Sequence, residues 1–75
     1  MSETITLEIN GKKCEGRLAT DLELKELSEK TNKAITDECV CGEGYCSSAG
    51  YEVRCALAND NVCRWFVFEN SRCNP

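Results

Sequence analysis

Thiols are the side chains in this chain best equipped to do chemistry. Cysteines stand at Cys14, Cys39, Cys41, Cys46, Cys55, Cys63 and Cys73 in a chain of 75 residues, and six of these seven follow residue 38. As thiolates they would hold a soft metal ion or an iron–sulfur cluster. Oxidised in pairs they would staple a domain too small to rest on its hydrophobic core alone. The densest stretch, CGEGYCSSAG at residues 41–50, sets Cys41 and Cys46 around Gly42, Glu43, Gly44 and Tyr45. The chain has no histidine. That excludes Ser-His-Asp and Cys-His catalysis, mixed cysteine–histidine zinc sites and Rieske centres. A thiol nucleophile needs a base or an electropositive setting. Glu43 is the sole acid inside the motif, and its plain reading is an exposed turn residue. The expectation is a protein that is not an enzyme.

The elements that must position these thiols make one small domain spanning residues 1–75. Residues 4–18 predict a β-hairpin. TITLEI alternates polar and apolar residues, and Asn10-Gly11 supplies the turn. A two-residue loop sets Ile9 opposite Lys12, Glu8 opposite Lys13 and Leu7 opposite Cys14. This register pairs charges outside and apolar groups inside, and it turns Cys14 into the core as a buried free thiol. Residues 20–35 predict a helix, opened by a Thr20/Glu23 capping box and striped by Leu24, Leu27, Thr31, Ala34 and Ile35. Its charges, Glu23, Lys25, Glu26, Glu29 and Lys30, read as a solvated face. Residues 36–50 form a long Cys/Gly loop that hydrophobic packing cannot hold, so it calls for cross-links. Residues 51–68 predict a second hairpin. YEVRCAL is its first strand, the turn lies at Asn59–Asn61, and residues 62–68 form a last strand whose run from Trp65 to Phe68 is buried on both faces. Residues 69–75 read as a coil tail. Tyr45 is expected exposed and Tyr51 half-buried.

Net charge is −4, from nine basic and thirteen acidic residues. An acidic chain with scattered Lys and Arg is not expected to bind nucleic acid. No stretch approaches the ~20 apolar residues of a membrane span. The stretch MSETITLEIN lacks the basic and apolar regions of a secretory leader, so a cytoplasmic location is expected. There, seven thiols favour metal binding over disulfides, and the odd count agrees, since pairing strands one thiol. Disulfide-bonded cysteines would instead imply a secreted protein.

The β-β-α order followed by CGEGYCSS at residues 41–48 resembles the β-grasp [2Fe-2S] ferredoxins. The GEG wording and ITLEINGK at residues 5–12 are most similar to the ferredoxin domain of the molybdenum hydroxylases. The resemblance implies a β-grasp-like β-β-α-β-β domain of the α+β class with a cysteine-rich C-terminal half. It further implies an electron-transfer protein that docks on a protein redox partner. It carries Cys41, Cys46 and Cys63 over as cluster ligands. Where the family has its third ligand this chain has Ala49, which leaves Cys55 or Cys39 to complete the set. The physics of the loop agrees: a [2Fe-2S] cluster takes four thiolates, and glycines free the backbone to aim N–H groups at its sulfurs.

The residues leave a second class open, a cluster-less module stapled by disulfides that binds or inhibits a protein target, made by a phage or a host-associated microbe. Cys55 and Cys63 flank the turn at Asn59 and could bridge if they lie opposite each other. An all-cysteine zinc site serving an interaction domain is the third reading. It lacks paired CxxC knuckles, because CVC leaves one residue between thiols.

Overall fold

The computed structural model of the chain describes residues 3–36 and 38–74. Met1 and Ser2 of the N-terminal stretch, Asp37 of the expected loop and Pro75 of the expected tail lie outside them. The element order is β1 (Thr4–Ile9), β2 (Lys12–Leu18), α1 (Asp21–Thr31), β3 (Gly44–Cys46), β4 (Tyr51–Leu57) and β5 (Cys63–Arg72). The strands form one sheet ordered β1-β2-β5-β4-β3, and every neighbouring pair is antiparallel. One short helix and an antiparallel sheet make an α+β fold, the class expected.

Asn10 and Gly11 take φ of 54° and 78°. These values make a primed turn, whose twist matches that of the flanking strands. The first hairpin has the expected register, with Ile9↔Lys12, Glu8↔Lys13 and Leu7↔Cys14. The second turn follows the same logic. Asn61 N–H donates to the Ala58 carbonyl at 3.0 Å, Ala58 N–H donates to Val62 at 2.9 Å, and Asn61 takes φ 63°. A tight turn followed by a left-handed residue closes β4 onto β5.

Thr20 caps α1 with ψ 163°, and both halves of the capping box form. The helix is shorter than the expected 20–35. Asn32 adopts a left-handed conformation (φ 58°) and ends it at Thr31. Ile35 therefore lies off the helix, yet it still packs against the core that Leu24 and Leu27 enter.

Both faces of β5 are buried. One face carries Phe66 and Phe68, packed with Ile9, Cys14, Ala56 and Ala58 and flanked by Ile5, Leu7 and Leu18. The other carries Trp65 and Val67, packed with Val53, Cys55, Leu24 and Leu27. β2 pairs with β5 at Arg17↔Val67 and Leu18↔Phe66, and the residues beyond curl over the Phe66/Phe68 face. Burying side chains of this size stabilises by about 1.5–3 kcal/mol each. The expected two-sided burial of the Trp65–Phe68 run holds, with no residue of the four more than 3% exposed.

Three further expectations change. The 36–50 segment is not loop throughout, because Gly44–Cys46 pair with β4 at Gly44↔Arg54, Tyr45↔Val53 and Cys46↔Glu52. The tail is not coil from residue 69, because β5 runs on to Arg72, which pairs with Tyr51 past a register irregularity at Tyr51/Glu52. Tyr45 is half-buried rather than exposed, its ring centroid 5.6 Å from that of Trp65.

Candidate functional site

CGEGYCSSAG resolves into a turn, a strand and a second turn. In the first turn Glu43 N–H donates to the Val40 carbonyl at 3.1 Å, and Gly42 takes φ 104°. A positive φ at the third position of a hydrogen-bonded four-residue turn asks for glycine. The Glu43 carboxylate closes the turn from the other side, accepting from Val40 N–H at 3.1 Å. Glu43 is exposed, as expected, but it is tied into the turn. The backbone of this turn then binds β4: Gly42 N–H donates to the Cys55 carbonyl at 3.1 Å, and Cys55 N–H donates to the Glu43 carbonyl at 2.9 Å. In the second turn Gly50 N–H donates to Ser47 at 3.0 Å with φ 88° at Gly50. Ala49 lies in this turn, which joins β3 to β4.

Three disulfides cross-link the C-terminal half: Cys39–Cys55, Cys41–Cys63 and Cys46–Cys73, with Cα separations of 6.1, 5.5 and 6.0 Å. All three separations suit a disulfide. The first two pin the turn at residues 39–43 to β4 and β5. The third pins β3 to the residue that follows β5. Cys14 is left as a free thiol, 1% exposed within the sheet–hairpin core, where the register had placed it.

These bonds overturn the [2Fe-2S] electron-transfer reading. A cluster needs four thiolates, whereas all five candidate ligands, Cys41, Cys46, Cys63, Cys55 and Cys39, have their sulfurs bonded to other sulfurs. The grouping of ligands also differs from the one expected. The sulfurs of Cys41, Cys55 and Cys63 lie within 4.8 Å of one another, and Cys46 is not in that group. The idea of a Cys55–Cys63 bridge fails on register. Cys55 faces Trp65, and Cys63 faces Leu57, so the two are offset along the hairpin and each reaches into the 39–41 turn instead. The chain is a disulfide-stapled small protein, not an iron–sulfur ferredoxin.

Cys73 is the site residue that the sequence reading missed. A signal for it existed. With Cys14 committed to the core by the hairpin register, the remaining six cysteines make three pairs without a remainder. The exposed apolar residues beside the staples were missed as well. Val40 is 71% exposed, Leu57 55% and Val62 40%. Val40 adjoins Cys41 in the chain, Val62 adjoins Cys63, and Leu57 is the cross-strand partner of Cys63. Three exposed apolar residues thus neighbour one disulfide, two of them in the chain and one in the strand register. Acidic Glu38, Glu43 and Asp60 are exposed along the same segments, with Asp60 paired to Arg64 at 2.8 Å.

The helix start carries the strongest electrostatics. Glu23 accepts from Arg17, from Thr20 N–H at 2.9 Å and from the Tyr51 hydroxyl at 3.4 Å. It was expected on a solvated face, yet its side chain is only 18% exposed. The Arg17 hydrogen bonds hold its carboxyl down at about 2 against burial, which pushes it up. Burial first, and then the Glu23 charge, push the Tyr51 phenol above its usual value. This cluster couples β2, α1 and β4 and is structural in character.

The fold and its staples define a small, disulfide-rich α+β domain. No family model, curated protein or solved structure matches the chain. No helix among the described residues is long and apolar enough to cross a membrane, and three disulfides are compatible with a secreted protein.

Proposed function

We propose that this protein is a disulfide-stapled module that binds a protein target through the turn at residues 38–43 and the adjoining β4–β5 end. The supporting observation is the exposure of Val40, Leu57 and Val62, which neighbour the half-cystines of the Cys41–Cys63 bridge in chain or register. Exposed apolar residues scattered singly need no explanation, but a grouped set on a rigid frame suits a partner. Two disulfides and the turn's own hydrogen bonds keep its backbone ordered before binding, so little conformational entropy is lost on docking. The acidic residues beside the patch select a partner whose apolar groove is edged by Lys or Arg. The protein has no catalytic role on this reading, and it works in an oxidising compartment, where its bridges persist.

The test compares wild type with Val40→Asp and with Leu57→Asp as baits for secreted and cell-surface proteins. Both positions are exposed, so the fold should be unchanged by circular dichroism. The expected result is one partner held by wild type, lost from both variants and released by raised salt. The same proteins captured by all three baits would remove the proposal.

A further inference from the structure

We infer that Cys39, Cys41, Cys55 and Cys63 form a second, reduced-state site, four thiolates that take one zinc-class divalent cation when their two disulfides open. The site shares the turn at residues 39–41 with the docking patch but rests on the sulfurs rather than on the exposed apolar residues, and it forms only where a dithiol reduces bridges that otherwise persist. The sulfurs of Cys41, Cys55 and Cys63 already lie within 4.8 Å of one another. Cys39 lies outside that group, but its bond to Cys55 holds a fourth sulfur beside one of its members. Sulfurs around tetrahedral zinc at about 2.3 Å sit about 3.8 Å apart. The three grouped sulfurs therefore stand within about 1 Å of that spacing, and Cys39, freed from Cys55, has to swing toward them to complete the set.

The backbone that holds the four residues together does not depend on the S–S bonds alone. The hydrogen bonds between Gly42 and Cys55 and between Cys55 and Glu43 fasten the turn to β4. The β4–β5 ladder runs from Leu57↔Cys63 through Cys55↔Trp65. Cys39 and Cys41 are alternate residues of one turn, and Cys55 and Cys63 lie on adjacent strands. Two ligands thus come from each side, in place of the missing CxxC knuckles. Burial is graded across the site. Cys55 is buried, Cys63 is half-buried and Cys41 is exposed, so a reductant and then a cation have an entry side. A donor set of four sulfurs with no histidine in the chain selects a soft or borderline metal over magnesium or calcium.

The chemistry balances with a dithiol as reductant. Each S–S bond accepts two electrons and two protons and becomes two thiols, while the dithiol closes to its own disulfide. The four thiols then release four protons as they bind one divalent cation. The Cys46–Cys73 bridge takes no part.

The test uses the full chain carrying Cys46→Ser and Cys73→Ser, reduced and desalted without oxygen, and titrated with Co2+ alone and then Zn2+ alone. The expected result is one Co2+ per chain with a tetrahedral thiolate spectrum, displaced by one equivalent of Zn2+. Adding Cys41→Ser and Cys63→Ser should weaken binding at least tenfold and abolish that spectrum. If reduction unfolds the chain, one equivalent of Zn2+ should restore the β-sheet circular dichroism and the native Trp65 emission together. The inference is overturned by no stoichiometric uptake, by uptake that restores no structure to an unfolded chain, or by equal uptake when Cys41 and Cys63 are serine.

Discussion

The guanidinium of Arg17 grips Glu23 with two parallel hydrogen bonds, Nη1 to Oε1 and Nη2 to Oε2, each 2.7 Å long. Arg17 also donates through Nε to Glu69. One side chain on β2 thus holds both the first turn of α1 and the far part of β5. Glu23 has a second task, since its carboxylate accepts the Thr20 N–H that opens the helix. A fork-to-fork ion pair of this kind is stronger and more directional than an ordinary surface pair.

The pair predicts an acid-sensitive step in stability. Glu23 has its carboxyl lowered from 4.5 to about 2, with the Arg17 hydrogen bonds as the chief cause. A carboxyl depressed in the folded state contributes stability that is complete above its unfolded value and lost as pH falls through its folded value. The contribution should therefore be full above about pH 4.5 and fade between there and about pH 2. Arg17 is partly exposed, so solvent screening limits the gain to on the order of 1–2 kcal/mol. Urea unfolding of wild type and Glu23→Gln at pH 7 and pH 3 should show the two curves converging at the lower pH. A gap that stays constant with pH would mean that the Glu23 charge does not matter.

Gly16 predicts a packing penalty. A Cβ at this position would lie 2.4 Å from the Phe68 ring, and Phe68 is fully buried. The hairpin can lie this close to the sheet because residue 16 has no side chain. Gly16→Ala should cost about 1–3 kcal/mol. Adding Phe68→Leu frees the space, so the double variant should lose less than the sum of the two single variants. Additive losses in thermal unfolding would show that the contact does not govern the site.

Local chemistry made part of this fold legible before any coordinates. Asn10-Gly11 dictates both the turn and the register, and that register sends Cys14 inward. Thr20 with Glu23 marks the helix start, and the apolar run at Trp65–Phe68 marks a strand buried on both sides. The rest depends on partners remote in sequence. Gly44–Cys46 is too short to display a two-residue period, and its strand character comes from pairing with β4. Residues 69–72 are polar, and they extend because Tyr51 and Gly50 lie beside them and Cys46 tethers Cys73. Cys41 and Cys46 resembled a ligand pair because a glycine-bearing turn between thiols serves both cluster binding and disulfide stapling. What separates the two is the approach of Cys73 to Cys46, away from the other thiols, which only the folded chain displays. The helix end was overestimated because Ala34 and Ile35 continue the periodic stripe, while the left-handed Asn32 breaks the chain's path.

The cysteine inventory predicts a stepwise thiol count. Native protein should react negligibly with an aromatic disulfide reagent, because Cys14 is 1% exposed and the others are bonded. Unfolding in guanidinium without reductant should reveal one thiol per chain, and prior reduction should reveal all seven. Cys14→Ala should fold with the same bridges and lose about 1 kcal/mol, the scale for a small buried side chain in a packed core. Three or more thiols from the unreduced, unfolded chain would show that a bridge is absent.

The Cys46–Cys73 bridge predicts a local response set apart from the other two. It closes a separation of 27 residues and anchors the last residues of β5, where Cys73 N–H donates to the Gly50 carbonyl at 2.9 Å. Neither Cys46 nor Cys73 belongs to the Trp65/Val67 cluster, which the bridge reaches only through Tyr45 of β3. Replacing both by serine should cost about 2–4 kcal/mol, chiefly by freeing the unfolded chain. In hydrogen exchange, the amides of residues 70–73 and of β3 should lose protection first. Those at the centre of the β4–β5 ladder should keep exchanging only through global unfolding. The double variant lacking Cys39 and Cys55 should instead expose Trp65, beside which Cys55 is paired, and shift its emission to the red. If both variants loosened the same amides, the bridges would be acting through a single cooperative unit, and the division of labour argued for the staples would fail.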